Sequence, residues 1–182
     1  MALPLWERSY RGKRWLWIGL FLLAAGCGYR FSTPTEADCP HPRLLFIPVF
    51  QNRTMESGLG SLVTNEVLAE IEQSNCLGVV ERDQSGARVS GWVDSLTESS
   101  ASRKAGGVSY ERRIRLVVQA AVVDSDGRAL WPESRLAEDD TYTVAVADKQ
   151  ITDARRRAAL ARVSRRLANK LRGLLETYLA DF

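Results

Sequence analysis

The chain has 182 residues, with 25 Lys+Arg against 22 Asp+Glu, one histidine and three cysteines. That length holds one domain with a proper core. A metal centre of several imidazoles is excluded, and a Ser–His or Cys–His pair could draw only on His41, wedged between Pro40 and Pro42.

The basic excess sits at the front. Arg8, Arg11, Lys13 and Arg14 precede an uncharged run over residues 15–25, followed by Gly26, Cys27 and Gly28. A helix that spans a bilayer needs about 20 apolar residues, roughly twice what this run offers. A basic start, a short apolar middle and small residues at the exit describe a secretory signal peptide, expected over residues 1–26. The leader carries four of the basic residues and only Glu7 of the acidic ones, leaving 21 against 21 in the 156 residues that follow. With no global basic field, nucleic acid is not an expected partner.

Ala24-Ala25-Gly26-Cys27 resembles the bacterial lipobox, with Ala24 where Leu is preferred. The resemblance implies cleavage before Cys27, a diacylglycerol on its sulfur and an N-acyl chain. Three such chains, at about 0.8 kcal/mol per buried methylene, hold a protein stably at a membrane. Gly28 in place of Asp implies sorting to the outer membrane. The alternative is a plain signal anchor with an incidental cysteine.

Residues 27–42, rich in Pro, Thr and small polar groups, read as a lipidated tether, and residues 43–182 as a single domain. "RLLFIPVFQN", residues 43–52, has the β-branched and aromatic content of a buried strand, with Pro48 marking an edge or an early end. Leu59, Leu62/Val63, Val67 and Ile71 then fall at helical spacing, predicting an amphipathic helix over 57–75 with Ser57 as N-cap. A short strand is predicted at 77–83 and a longer one from Ala87 onward. The basic loop "RKAGG", 103–107, leads into the longest strand, which ends at an Asp126-Gly127 turn. Its partner follows, broken near Pro132. The last segment, 149–178, is a helix with a stripe of Leu160, Val163/Ser164, Leu167, Leu171, Leu174/Leu175 and Tyr178, opening at Thr152 or Asp153. The order β-α-β-β-β-β-α predicts an α+β fold: a mixed, mostly antiparallel sheet with two amphipathic helices on one face.

A strand–helix–strand crossover brings the starts of its two strands to one end of the sheet. Cys39 precedes the first and Cys76 the second, so a disulfide between them is expected. The alternative is a buried Cys76 and a free Cys39.

Enzymatic chemistry finds no support. Glu138-Asp139-Asp140 lacks a second ligand cluster and reads as a solvated loop. Asp124 and Asp126 before Gly127 read as a hairpin rather than a calcium loop. No glycine-rich phosphate loop, cofactor motif or metal-ligand spacing occurs.

"CGYRF" at 27–31, then Pro48-Val49-Phe50, Asn52-Arg53-Thr54, Gly58-Leu59 and Thr64-Asn65, resemble the lipopolysaccharide-assembly lipoproteins (LptE-like). Ser90-Gly91-Trp92-Val93, Asp126-Gly127 with Leu130-Trp131, and Tyr142-Thr143-Val144 extend the likeness along the mature chain. The insert at 33–42 departs from it. The resemblance implies a non-enzymatic outer-membrane lipoprotein that sits on the periplasmic side within the lumen of an LptD-type β-barrel. There it would act as plug and assembly partner of the lipopolysaccharide translocon, moored to the inner leaflet and in contact with lipopolysaccharide. The phosphates of that lipid favour arginine and lysine. Arg103, Lys104, Arg112, Arg113 and Arg115 are the candidate contacts, and the arginine-rich face of the last helix is a second candidate. An accessory lipoprotein of another envelope machine, such as barrel assembly, is the alternative role.

Overall fold

The computed structural model describes residues 42–103 and 109–179. Pro48 divides the first predicted strand in two, β1 (Arg43–Phe46) and β2 (Gln51–Asn52). Helix α1 (Leu59–Glu72) follows, then β3 (Leu77–Val79) and a 3-10 turn (Arg82–Gln84). Three long strands come next: β4 (Ala87–Arg103), β5 (Ser109–Asp124) and β6 (Ala129–Ala145). Helix α2 (Lys149–Leu179) closes the described chain.

The strands form one mixed sheet in the order β3-β1-β4-β5-β6, with β2 also pairing with β4. β1 runs parallel to both β3 and β4, as a strand–helix–strand crossover requires, and β4, β5 and β6 form an antiparallel meander. The structure is thus the expected α+β fold. Pro132 does not break β6. The strand runs on through a register shift between the pairs Ala120–Ser134 and Val122–Trp131, where two residues of β6 face one of β5. A bulge of this kind takes up a proline at little cost to the ladder.

One core joins sheet and helices. Leu59, Val63, Val67 and Ile71 of α1 are buried, as are Leu160, Val163, Leu167, Leu171 and Leu175 of α2. They meet Val89 and Val93 of β4 and Ile114, Leu116, Val118, Ala120 and Val122 of β5. Tyr178 leaves the predicted stripe. It is 45% exposed and stacks on buried Trp131, their ring centroids 5.9 Å apart.

The helix caps differ from expectation. Gly58, in the left-handed region at φ 75°, caps α1, where Ser57 was expected; a glycine meets that conformation without a Cβ clash. At α2 the Asp148 carboxylate accepts the Ile151 amide at 3.1 Å, whereas Thr152 turns its hydroxyl back to the Ala145 amide and carbonyl. Asp126-Gly127 makes the predicted hairpin, with Gly127 at φ 83° and its amide on the Asp124 carbonyl.

Phe50 fixes how the β1–β2 segment crosses the sheet. Its amide donates to the buried Thr64 hydroxyl at 2.9 Å, and its ring lies over Gly91. A Cβ at Gly91 would overlap that ring. Gly91→Ala is therefore expected to lower stability by about 1–3 kcal/mol, as overpacking does. Thermal unfolding checks this; an unchanged Tm contradicts it.

Candidate functional site

The period of two in β5 gives the sheet two unlike faces. Even-numbered residues from Ile114 to Val122 face the helices. Arg113, Arg115, Val117, Gln119, Ala121 and Val123 face the other way, where none of the described helices packs. Register adds Thr97 and Ser99 from β4 beside Arg115 and Arg113, and Asp139 and Thr141 from β6 on their other side. Farther along, Trp92 sits beside Gln119, with the Arg53 guanidinium 4.4 Å above its ring. Ala137 and Arg135 complete this open face.

The sequence-predicted basic residues divide between the faces. Arg112 pairs with Tyr142 and Ser100 on the helix side and reaches the Glu98 carboxylate at 3.7 Å. Arg113 and Arg115 lie on the open face. Arg113 approaches Asp139 at 3.7 Å, and Arg115 has no ion pair among the described residues. The Arg103 side chain and Lys104 lie outside the described residues, as do Cys27 and Cys39. Cys76 is disulfide-bonded.

Most arginines of α2 are spent within the fold. Arg166 donates to the Asp139 carbonyl at 2.7 Å, Arg162 to the Thr141 carbonyl at 3.4 Å and Arg155 to the Thr143 carbonyl at 3.4 Å. Arg162 also meets Asp140 at 2.6 Å and Lys170 meets Glu138 at 2.9 Å. Glu138-Asp139-Asp140 is thus a stretch of β6, not the expected loop, and the Glu138 and Asp140 charges answer those of the helix. Exposed pairs of this kind contribute at most about 1 kcal/mol each. Their larger effect is to leave this helix face few free cations.

A second network lies on the helix side. Arg156 grips both Glu56 oxygens, at 2.9 and 2.8 Å, and its Nε donates to Glu98 at 2.6 Å. The Tyr142 hydroxyl donates to the other Glu98 oxygen at 2.8 Å. Four elements meet here: the 53–58 loop, β4, β6 and α2. The loop is braced from within, because the Asn52 side chain donates to the Glu56 carbonyl and accepts from the Thr54 amide. The Arg156 hydrogen bonds hold the Glu56 carboxyl below its ordinary value of 4.5. Burial first, and then the Glu98 carboxylate, push the Tyr142 phenol above 10.0. No local pattern announces this network, since Arg156 stands 100 residues from Glu56 and 58 from Glu98.

Among the described residues no group of three His, Cys, Asp or Glu could hold a metal ion, and no helix is long and apolar enough to cross a membrane. The arrangement offers surfaces for binding: an open sheet face of hydroxyls, guanidinium groups and one cation-capped indole.

The family model described as lipopolysaccharide-assembly, LptE, matches residues 43–172, most of the chain. The chain belongs to the LptE family. Rare lipoprotein B of Shewanella oneidensis has a similar structure, with a TM-score of 0.51 at 15% identity, over 75% of this chain and 97% of that one. A Caulobacter crescentus chain designated a lipoprotein gives a TM-score of 0.51 at 16% identity, over 73% and 91%. A hypothetical protein of Chlamydia trachomatis gives 0.50 at 10% identity, over 78% and 100%. At such identity the likeness speaks for the fold alone. None of the curated proteins matches the chain. LptE proteins are non-enzymatic outer-membrane lipoproteins, and this chain is a lipoprotein of the lipopolysaccharide-assembly type.

The depressed Glu56 value carries a stability consequence. A carboxyl whose folded value lies below its unfolded one contributes stability fully above the unfolded value and loses it as pH falls through the folded one. Wild-type stability is therefore expected to fall between pH 5 and pH 3 more steeply than that of Glu56→Gln, which lacks this titration. Denaturant unfolding at stepped pH checks this; parallel curves contradict it.

Proposed function

We propose that this lipoprotein is the plug and assembly partner of an LptD-type β-barrel in the lipopolysaccharide translocon, and that it has no catalytic activity. The LptE match across the folded domain carries this reading. The physical chemistry agrees with it. A barrel lumen wide enough to take a folded domain is polar, and this domain keeps an uncovered sheet face of Thr97, Ser99, Arg113, Arg115 and Thr141.

Lipopolysaccharide contact falls to the same face. Arg113 and Arg115 stand two residues apart on one strand, so their guanidinium groups project to the same side, flanked by hydroxyls that donate to phosphate. Arg112 is left out of this set because Glu98 holds it on the helix side.

Acylation of Cys27 moors the domain to the membrane in this reading, which leaves Cys39 as the partner of Cys76. The Arg43 amide donates to the Cys76 carbonyl at 2.8 Å, so residue 43 adjoins Cys76. Cys39 lies four residues ahead, a reach of up to about 13 Å in extended chain, and a disulfide needs Cα atoms within about 7 Å.

One purification tests the reading. The tagged chain is drawn from detergent-solubilised membranes. A large β-barrel protein and lipopolysaccharide are expected with it, its mass carrying acyl chains and its cysteines labelling only after reduction. The double variant Arg113→Glu/Arg115→Glu is expected to keep the barrel and to lose most of the lipopolysaccharide. Recovery of the chain without a barrel overturns the reading. Undiminished lipopolysaccharide on the double variant removes these two arginines from it.

A further inference from the structure

The sheet has two long flanks, and the fold treats them differently. On β6, the carbonyls of Asp139, Thr141 and Thr143 accept from Arg166, Arg162 and Arg155, so odd-numbered backbone groups there point away from β5. These donors, together with Pro132, close that edge to another strand. Alternation carries the same geometry across the sheet. Asp139 and Thr141 pair with Arg115 and Arg113, whose backbone groups therefore point to β4, onto Thr97 and Ser99. The amides and carbonyls of Leu96, Glu98 and Ser100 must then point to the far side of β4.

Nothing described lies there. Along β4, β1 reaches only Ala87 and Arg88, and β2 only Trp92 and Val93. The last bond along that side runs from the Arg53 amide to the Val93 carbonyl at 3.0 Å. Beyond it, between register shifts at Val93/Ser95 and Ser100/Ser102, runs a regular free edge over residues 95–100. It carries no proline and no lysine, and its two carboxylates are engaged: Asp94, at its entrance, with Arg135, and Glu98 with Arg112 and Arg156. On its helix side stand half-buried Leu96 and the braced 53–58 loop, which carries the fully exposed Met55.

We propose that residues 95–100 of β4 receive an extended segment of the barrel partner as an added strand. The inference rests on the function proposed above. A second copy of this chain is the poorer occupant. Antiparallel self-pairing over so short a stretch brings the two Glu98 carboxylates close together, and about 20 Å of shared edge is far from a stable dimer interface. A closed barrel has no free edge in its wall, so the donor is a loop or a terminal extension of the barrel chain. Main-chain hydrogen bonds hold such a strand, and the side chains flanking the groove select it. Here the donated strand has apolar residues toward Leu96 and small polar ones toward Thr97 and Ser99.

The test uses the full-length lipoprotein co-expressed with its barrel, with p-benzoylphenylalanine placed singly at Thr97, Ser100 or Arg113. Irradiation followed by peptide mapping is expected to join positions 97 and 100 to one contiguous loop or terminal segment of the barrel chain. Ser100→Pro removes an outward amide and no β4–β5 bond, so the protein keeps its Tm. Barrel recovery is expected to fall about three- to tenfold, the worth of one hydrogen bond. Cross-links from 97 and 100 to a second copy, or to strands of the barrel wall, overturn the proposal. So does full recovery with Ser100→Pro. Cross-linking to the barrel from 113 but from neither 97 nor 100 overturns strand addition and leaves the proposed function standing. Absence of the barrel from every preparation overturns both.

Discussion

Everything in this domain follows from the strict alternation of β5. A 16-residue strand places every second side chain on each face. Here one set is Ile114, Leu116, Val118, Ala120 and Val122. These residues admit only one arrangement: both helices on their side, with the alternate set on the other face, where Arg113 and Arg115 are exposed and Val117 is buried. A slip of one residue would send Arg113 and Arg115 into the core and the valines into water, so the register is firmly specified.

The charges sort themselves around that division. α2 carries a long row of cations, which in isolation reads as a binding surface. Folded, they cap the carbonyls of β6 and neutralise Glu138 and Asp140. Arg156 does the same farther in, tying the Asn52 turn to β4 through two carboxylates. Most of the charge on the helix side is therefore paired within the fold. What stays open is the other sheet face and the distal edge of β4, and both belong to a protein whose family role is to assemble with others rather than to transform a substrate.

Helices, long strands and the Asp126-Gly127 hairpin were legible in the sequence because each is set by local period or local turn chemistry. Leu59, Val63, Val67 and Ile71 announced α1, and their burial is complete. The two helix caps were not legible, because several small or polar residues precede each helix and tertiary contacts choose among them. Gly58 serves where the Asn52 turn meets α1, and Thr152 is drawn back to Ala145. The candidate basic cluster was legible only as a list. Neighbours in sequence along a strand point to opposite faces, so Arg112 and Arg113 could not act together. The Glu56–Arg156–Glu98 network joins residues far apart in the chain, and no spacing rule reaches that far.

In the proposed function, partners meet the uncovered face and edge of the sheet, while the cationic face of α2 serves the fold. Residue-resolved hydrogen exchange on the lipoprotein, alone and bound to its barrel, tests it directly. The amides of Leu96, Glu98 and Ser100 are expected to exchange fast in the free protein and to slow strongly in the complex. α2 is expected to behave alike in both. Unchanged exchange at those three amides, with new protection confined to α2, would contradict the account.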